Sequence, residues 1–538
     1  MSLTSFISLQ HVLNYKSTKA MVKKLYLAAS IMLGAQISNA QIIDSTFGVY
    51  GIANTSFVAG QAEACQSIVL QSDGMIVAGG NSKSATGLHQ FVLARYDTSG
   101  VLDNTFGTAG KVITPNAGIG NQLKHVALQP DGKILAVGIA QTAPFSPWTT
   151  LLMRYNSNGT LDNSFGINGR VTTAVGTKAD AYKVLIQPDN KILICGTQYD
   201  DNYYILVRYN ANGTIDNSFG TSGIVQFGQF GTGTGLALQP DGKILVSGEF
   251  WGTVVLNGPN SGVARHNADG SVDHSFGNNG VCYISALGPG ENLWGGHDLK
   301  VLPDGKILLA VFGNSGSLAQ KPAVVRITNS GQRDMSFGTS GFASTSHTTF
   351  NAPCEEMAIQ PDGKILLVGN IVTTNITQKD SFFVSRFDTS GAPDISFGVA
   401  GRLSVALGTT GSNASTILLQ PNGKFVVGGM LPPFSSSNFA LYRYRYPTPV
   451  INNVKEVPNS EVFALYPNPA GDRFYVKMNA GTGEGMLSIA DLMGKRVLYK
   501  MINDVEPIDI SGLAAGTYVV TVSVAGSTGK RLLVRAGR

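Results

Sequence analysis

The chain of 538 residues is poor in the side chains that do covalent or metal chemistry. It has only four cysteines, Cys65, Cys195, Cys282 and Cys354, in widely separated stretches; this excludes a disulfide-stapled scaffold and leaves four buried free thiols as the expectation. Its seven histidines never fall in a His-x-x-x-His or His-Glu-x-x-His spacing, so no zinc site is expected. No Gly-x-Ser-x-Gly elbow precedes a helix, and Gly-rich runs such as Gly231–Gly235 lack the Lys-Ser/Thr of a phosphate loop. No catalytic set, metal or cofactor is therefore assigned. Charged residues make up 14% of the chain and form no basic run, which excludes nucleic acid as a partner. The acidic pairs Asp200-Asp201 and Glu355-Glu356 read as solvated surface charge.

Long apolar runs are also missing, except one near the start. Lys23-Lys24 precede the apolar stretch Leu25–Leu33, and Ser38-Asn39-Ala40 offers small residues for a signal peptidase, so residues 1–40 read as an export signal. A usual signal begins at Met21, which makes residues 1–20 an upstream extension from a misassigned start. Removing residues 1–40 leaves 35 basic against 34 acidic residues, near neutrality. No other stretch is long and apolar enough to span a membrane in the mature protein.

What the chain has in abundance is repetition. Gln129-Pro130-Asp131-Gly132-Lys133-Ile134-Leu135 recurs in seven versions, beginning at Gln71, Gln129, Gln187, Gln239, Leu302, Gln360 and Gln420. Pro presets the second position of a tight turn, Asp bonds its own backbone and Gly accepts positive φ, so each copy joins two antiparallel strands. The leaving strand is apolar at every position, which marks a strand covered on both faces.

A second signature follows, an apolar strand ending in Arg, a Gly-containing turn, and Leu-Asp-x-x-Phe-Gly. Arg and Asp are eight residues apart six times: Arg95 and Asp103, Arg154 and Asp162, Arg208 and Asp216, Arg265 and Asp273, Arg326 and Asp334, Arg386 and Asp394. Asp44 has no Arg before it and Arg443 no Asp after it, so the pattern stops where it began. The spacing predicts that Asp44 lies near Arg443 and closes a ring. The repeated pairs are structural in this reading, because a buried guanidinium needs matched acceptors.

Four strand-sized pieces per unit fit a propeller blade. The two signatures together resemble the delta-60 β-propeller repeat family over residues 44–446, a resemblance that implies fold and little about chemistry. The expected architecture is all-β, a seven-bladed β-propeller at 41–446 followed by a small C-terminal β-sandwich. With strands running up and down in order, the two conserved turns share one face and the variable connections the other. Trp148, Tyr199, Tyr203, Trp251, Trp294 and Phe434 fall in those connections and form the candidate ligand face, since aromatic rings on loops above a rigid scaffold suit sugars, peptides or partner surfaces. His125, His297 and Glu355, each a few residues before a hairpin turn, are the positions to test for chemistry at the central channel.

Residues 447–460 read as an extended linker. Beyond it, Leu465-Tyr466-Pro467-Asn468-Pro469, Leu492-Met493-Gly494-Lys495, Gly516-Thr517-Tyr518 and Lys530 at 461–538 resemble the type A C-terminal sorting domain of the type IX secretion system. That resemblance implies passage through the periplasm, handling by the type IX machinery, and release or attachment at the outer-membrane surface. The leading expectation is a non-enzymatic binding or adhesion protein for a polysaccharide or surface protein. An extracellular polymer hydrolase or lyase working at the channel, and a structural surface component, are the alternatives.

Overall fold

A computed structural model describes residues 43–115, 120–141, 146–228, 231–250, 260–284, 292–314, 320–345, 353–371, 381–405, 412–431 and 437–445, and in the C-terminal region 463–468, 470–478, 485–491, 496–503, 506–514, 516–524 and 527–535. The chain divides into two compact units, at 447/448.

The first unit contains seven four-stranded antiparallel sheets, six of them built from strands paired in chain order. Their inner strands are Glu63–Leu70, Gly120–Leu128, Ala179–Ile186, Gly235–Leu238, Asn292–Val301, Cys354–Ile359 and Asn413–Gln420; the sheets are numbered 1 to 7 in that order. Each inner strand packs against the next, and the seventh returns to the first. The apolar second strands are sealed between neighbouring sheets, as in Ile134–Gln141, buried at every position but its last. Hydrophobic clusters accordingly straddle sheets: Val426, Phe439 and Leu441 of sheet 7 share a core with Cys65, Ile76 and Ala78 of sheet 1. All four cysteines are buried and free.

Sheet 7 is completed from the other end of the chain. Ile52–Thr55 adds as its outermost strand to Asn438–Arg445, and Ile43 bridges Tyr444. Arg443 Nε donates to Asp44 Oδ2 at 2.8 Å. The residues left over at the two ends thus make a seventh pair like the other six.

Each station also links consecutive sheets. Arg154 donates from Nε to Asp162 at 2.7 Å, from Nη1 to the carbonyl of Ala211 in the next sheet at 2.5 Å, and lies over the Phe165 ring at 4.4 Å. Arg443 reaches the carbonyl of Thr98 in sheet 1 in the same way. The hairpin lysine is a third partner that spacing did not reveal: Lys133, Lys191, Lys243, Lys306, Lys364 and Lys424 all bind a station aspartate, at 2.7–3.1 Å. Sheet 1 has Met75 where the others have Lys, and Asp103 pairs with Arg95 without a lysine. Met75→Lys should therefore raise stability by about 0.5 kcal/mol in a denaturation series, the worth of one more partly exposed ion pair; no gain would mean that the lysine contributes nothing at a station.

One close approach shapes the channel. In sheet 3 a Cβ on Gly196 would sit 1.8 Å from the Asp180 carbonyl of the inner strand, and in sheet 2 one on Gly138 would sit 1.9 Å from that of Gln122. The inner strands bulge at this level, between Ala181 and Lys183 and between Leu123 and His125. Glycine on the second strand makes room for the bulge, and the bulge turns the following side chains toward the channel.

In the second unit, Phe463–Tyr466, Arg473–Met478 and Ile508–Asp509 form one sheet. Gly485–Asp491, Arg496–Ile502, Gly516–Val524 and Ser527–Arg535 form another. Both contribute to a single core, including Phe474, Val476, Leu487, Val520 and Leu533.

Candidate functional site

Because consecutive strands are antiparallel, the Pro-Asp-Gly hairpins and the Asp-x-x-Phe-Gly turns lie on one face, and the variable connections on the other. Every inner strand enters from the variable face. Four residues before the hairpin Gln or Leu, the seven strands present Ser67, His125, Lys183, Gly235, Asp298, Glu356 and Thr416.

These residues form a network across the channel. Lys183 Nζ lies 3.2 Å from Glu356 Oε1 and 3.6 Å from Asp298 Oδ1, joining sheet 3 to sheets 6 and 5. Sheets 3 and 6 are as far apart as two members of a seven-membered ring can be, so the Lys183 side chain spans the channel. Lys300 binds Asp298 at 2.9 Å, and Glu356 Oε2 accepts from Thr416 Oγ1 at 2.6 Å. Asp298 is 2% exposed. Burial raises the Glu356 carboxyl, but Lys183 and Lys300 outweigh it and hold the group well below its usual range. Burial likewise lowers Lys183, and its two carboxylates more than restore it. Burial and Lys183 keep His125 neutral, and its buried Nδ1 has no hydrogen-bond partner among the described residues.

One residue nearer the variable face stand Lys124, Tyr182, His297 and Glu355. The structure thus separates His125 from His297 and Glu355, which the sequence reading had grouped. His297 packs on Phe312, with ring centres 5.5 Å apart. Glu355 Oε1 accepts from Asn370 Nδ2 at 3.0 Å; burial, opposed by Asn370 and aided by Glu356, pushes its carboxyl up to about 7. Glu355 and Glu356 are therefore not a solvated surface pair, because the bulge sends them into two different layers. Asp200 and Asp201, by contrast, are exposed as expected, with Asp200 accepting from Thr177 and from Gln198 Nε2 at 2.7 Å.

The aromatic set is partly assembled. Lys178 Nζ lies between Trp148 and Tyr199, 4.4 and 4.5 Å from the two ring centres. Tyr199 Oη is 2.7 Å from Tyr182 Oη and donates to Asp180 Oδ2 at 3.0 Å. Trp148, Tyr203 and Trp294 are not loop residues as expected: Trp148 and Tyr203 open the strands Trp148–Tyr155 and Tyr203–Tyr209, and Trp294 lies in the inner strand Asn292–Val301. The strands simply extend farther toward this face than their composition suggested. Tyr203 pairs in register with Gln198. Trp251 and Phe434 lie outside the described residues. Lys124, Lys178, Tyr182, Lys183, Asp298, Lys300 and Glu356 escaped the sequence reading; their common distance from the hairpin turn was the signal that could have found the inner-strand members.

In the C-terminal unit, Pro467 follows a cis bond from Tyr466. Asn468 Oδ1 accepts from Val534 N at 2.8 Å. Gly516 opens the strand Gly516–Val524, Tyr518 Oη donates to the Ala514 carbonyl at 2.8 Å, and Lys530 pairs in register with Thr521. Pro469 and Gly494 lie outside the described residues.

Family comparison joins these two architectures to known ones. The model of a domain of unknown function, the DUF5122 β-propeller, matches at 71–106, 129–165, 187–219, 239–276, 302–337 and 360–397. The secretion system C-terminal sorting domain matches at 464–535. This is a DUF5122 β-propeller protein with a type IX sorting tail. The six matched spans are the units whose Arg and Asp lie in one continuous stretch; the seventh is split between the chain's ends. The sorting domain marks the DUF5122 protein for export, to the cell surface or the medium. No curated protein matches the chain.

Among solved structures, a protein of unknown function from Dyadobacter fermentans DSM 18053 is 12% identical, with a TM-score of 0.41, covering 74% of this chain and 98% of its own. A PL25 ulvan lyase bound to a -[GlcA(1-4)Rha3S]- ligand is 10% identical, with a TM-score of 0.42 over 74% of this chain and 96% of its own. The β-propeller domain of the Trilobed protease from Pyrococcus furiosus is 9% identical, with a TM-score of 0.39 over 74% and 99%. Likenesses at this level carry no inference about activity. Among the described residues, no helix is long and apolar enough to cross a membrane.

Proposed function

We propose that this exported propeller is a binding or adhesion protein that takes a polysaccharide or surface protein on its variable-connection face. Residues 1–40 serve as the export signal, 41–446 as the propeller, 447–460 as the linker and 461–538 as the sorting domain. The observation that carries the reading is the grouping of Trp148, Lys178 and Tyr199 on the variable face of sheets 2 and 3, each only partly covered. Flat apolar rings edged by amines and hydroxyls suit the faces and edges of sugar rings, and such rings commonly dominate binding energy.

The test is an array of glycans and surface proteins probed with the mature chain beside the Trp148→Ala, Tyr199→Ala double variant. The double variant should bind about tenfold or more weakly, roughly 1.4 kcal/mol. Its melting midpoint should fall by no more than a few degrees, since neither ring belongs to a buried cluster and Asp180 keeps its contact with Tyr182 when that of Tyr199 is lost. Unfolding of the variant would remove the main support for this face, and the absence of any ligand would favour a structural surface role.

An enzymatic reading, a hydrolase or lyase acting on an extracellular polymer, is favoured by one observation. Glu355, with its carboxyl near pH 7, stands one residue nearer the variable face than Glu356 of the network with Lys183 and Asp298. A carboxyl poised there can hold or release a proton at neutral pH. Product release from the polymers that the array identifies decides between the two readings.

A further inference from the structure

Among the described residues, most lysines of the propeller have a partner, Lys321 included. The six hairpin lysines and the channel pair Lys183 and Lys300 each bind a carboxylate, and Lys111 donates to the Ser56 carbonyl at 3.0 Å. Lys83, Lys124 and Lys178 form no ion pair and no side-chain hydrogen bond among the described residues. In a protein with so few charges the three would be expected to scatter, yet all lie on the variable face of sheets 1 to 3.

They also lie on one continuous arc. Lys83 ends the second strand of sheet 1 and pairs in register with His89, whose imidazole is kept neutral by burial and then by Lys83 and Lys124 together. Lys124 Nζ stands 5.9 Å from the Tyr182 ring centre; Tyr182 touches Tyr199, and Tyr199 touches Lys178, which touches Trp148. Positive charge therefore alternates with aromatic rings from the inner strand of sheet 2 to the start of its third strand. Of the nearby carboxylates, Asp180 is buried and accepts from both tyrosines, and the exposed Asp200 accepts from Thr177 and Gln198, so among the described residues neither forms an ion pair with a lysine of the arc; Asp201 is exposed beside Asp200. In the channel below, Lys183 and Lys300 balance Asp298 and Glu356, and Glu355, its carboxyl pushed up to about 7, is part-protonated at neutral pH.

We infer that the ligand of this face is an acidic polysaccharide, its carboxylates or sulfates paired with Lys83, Lys124 and Lys178 and its sugar rings resting on Tyr182, Tyr199 and Trp148. The inference rests on the binding reading above and narrows it to one ligand class. Charge supplies orientation and encounter rate, and the rings supply a contact that survives salt. The Lys183 bridge closes the channel beneath, so the polymer lies along the arc and does not thread the ring.

The experiment measures binding of the full mature chain to four probes: a polyuronate, a sulfated galactan, a neutral β-glucan and a single-stranded oligothymidylate. A Lys83→Gln, Lys124→Gln, Lys178→Gln variant is run in parallel. The expected result is binding of one or both acidic polymers, at least tenfold weaker in the triple variant and weaker at higher ionic strength, with a melting midpoint that moves by no more than about 2 °C, because Lys124 and Lys178 lose ring contacts but none of the three loses an ion pair or hydrogen bond among the described residues. The two acidic probes separate carboxylate from sulfate recognition. Equal binding of the neutral glucan, or acidic-polymer binding that the triple variant retains and the Trp148→Ala, Tyr199→Ala variant loses, overturns the inference while leaving the binding reading intact. Oligothymidylate binding as tight as that of the acidic glycans overturns it in favour of plain charge attraction. If no polysaccharide binds, the inference fails, and the protein arm of the array alone then decides the broader reading.

Discussion

Replacing Asp44 with asparagine will lower the unfolding free energy of the propeller by about 4 kcal/mol, within the range for breaking a buried ion pair. Asp44 is fully buried and binds Lys424 at 2.7 Å, Arg443 at 2.8 Å and Arg445 at 2.9 Å. An amide of the same shape keeps the packing and removes the charge, which strands the Arg443 guanidinium, itself 3% exposed. Asp103→Asn is the matched control: that carboxylate is 13% exposed, pairs with Arg95, and has no lysine, so its loss should cost less than half as much. The pH dependence carries a sign. Burial raises the Asp44 carboxyl, but Lys424, Thr46 and Arg445 outweigh it and hold the group well below the ordinary value of 3.8. Its contribution is complete above that value and is lost as pH falls through the folded one. The gap between parent and Asp44→Asn should thus be widest at neutral pH and narrow below about pH 4. Denaturant titrations at pH 7 and pH 3 measure both; equal losses at positions 44 and 103 would contradict the view that the seam is held more strongly than an ordinary station.

The second large effect lies in the channel. Lys183→Met should cost about 3 kcal/mol at pH 7, because it leaves Asp298 and Glu356 facing each other across the space that the ammonium filled. In the parent, the depressed Glu356 carboxyl contributes stability above its unfolded value of 4.5 that fades on acidification. In the variant the sign reverses. Burial and the neighbouring carboxylate raise Glu356, and the protein becomes less stable as pH rises through that group's titration. Lys183→Met should accordingly approach parental stability near pH 4, and a constant deficit from pH 7 to pH 4 would show that the lysine acts by packing and not by charge.

The ring was legible in the chain because each unit repeats a local rule. A Pro-Asp-Gly turn sets its own geometry, and Arg95 with Asp103 announces a station through eight residues of spacing; even the seam could be read from the unpaired Asp44 and Arg443. The channel was not legible for the opposite reason. Lys183 and Glu356 meet across 173 residues, and no local rule ties two particular non-neighbouring units together. Their shared register was visible only if residues were counted back from the hairpin, and the bulge after Ala181 upsets the simple alternation by which facing side chains are assigned. The lysine of the hairpin was passed over because its Nζ acts on an aspartate about 30 residues downstream, as Lys243 does on Asp273. Trp148 and Trp294 were assigned to loops because polar and glycine-rich neighbours hid the strand ends that carry them.

Closure of sheet 7 by Ile52–Thr55 also bears on when the molecule becomes a ring. The residues that complete it, Asn438–Arg445, come almost at the end of the propeller sequence, and the Asp44 and Arg443 partners are 399 positions apart. Contacts between such distant positions are slow to form and come after local hairpins. Six sheets can assemble in the order in which they emerge, but the seventh must wait for both ends of the propeller. A chain that lacks its last repeat is therefore an open-ended stack of sheets, and circular closure requires the whole propeller sequence.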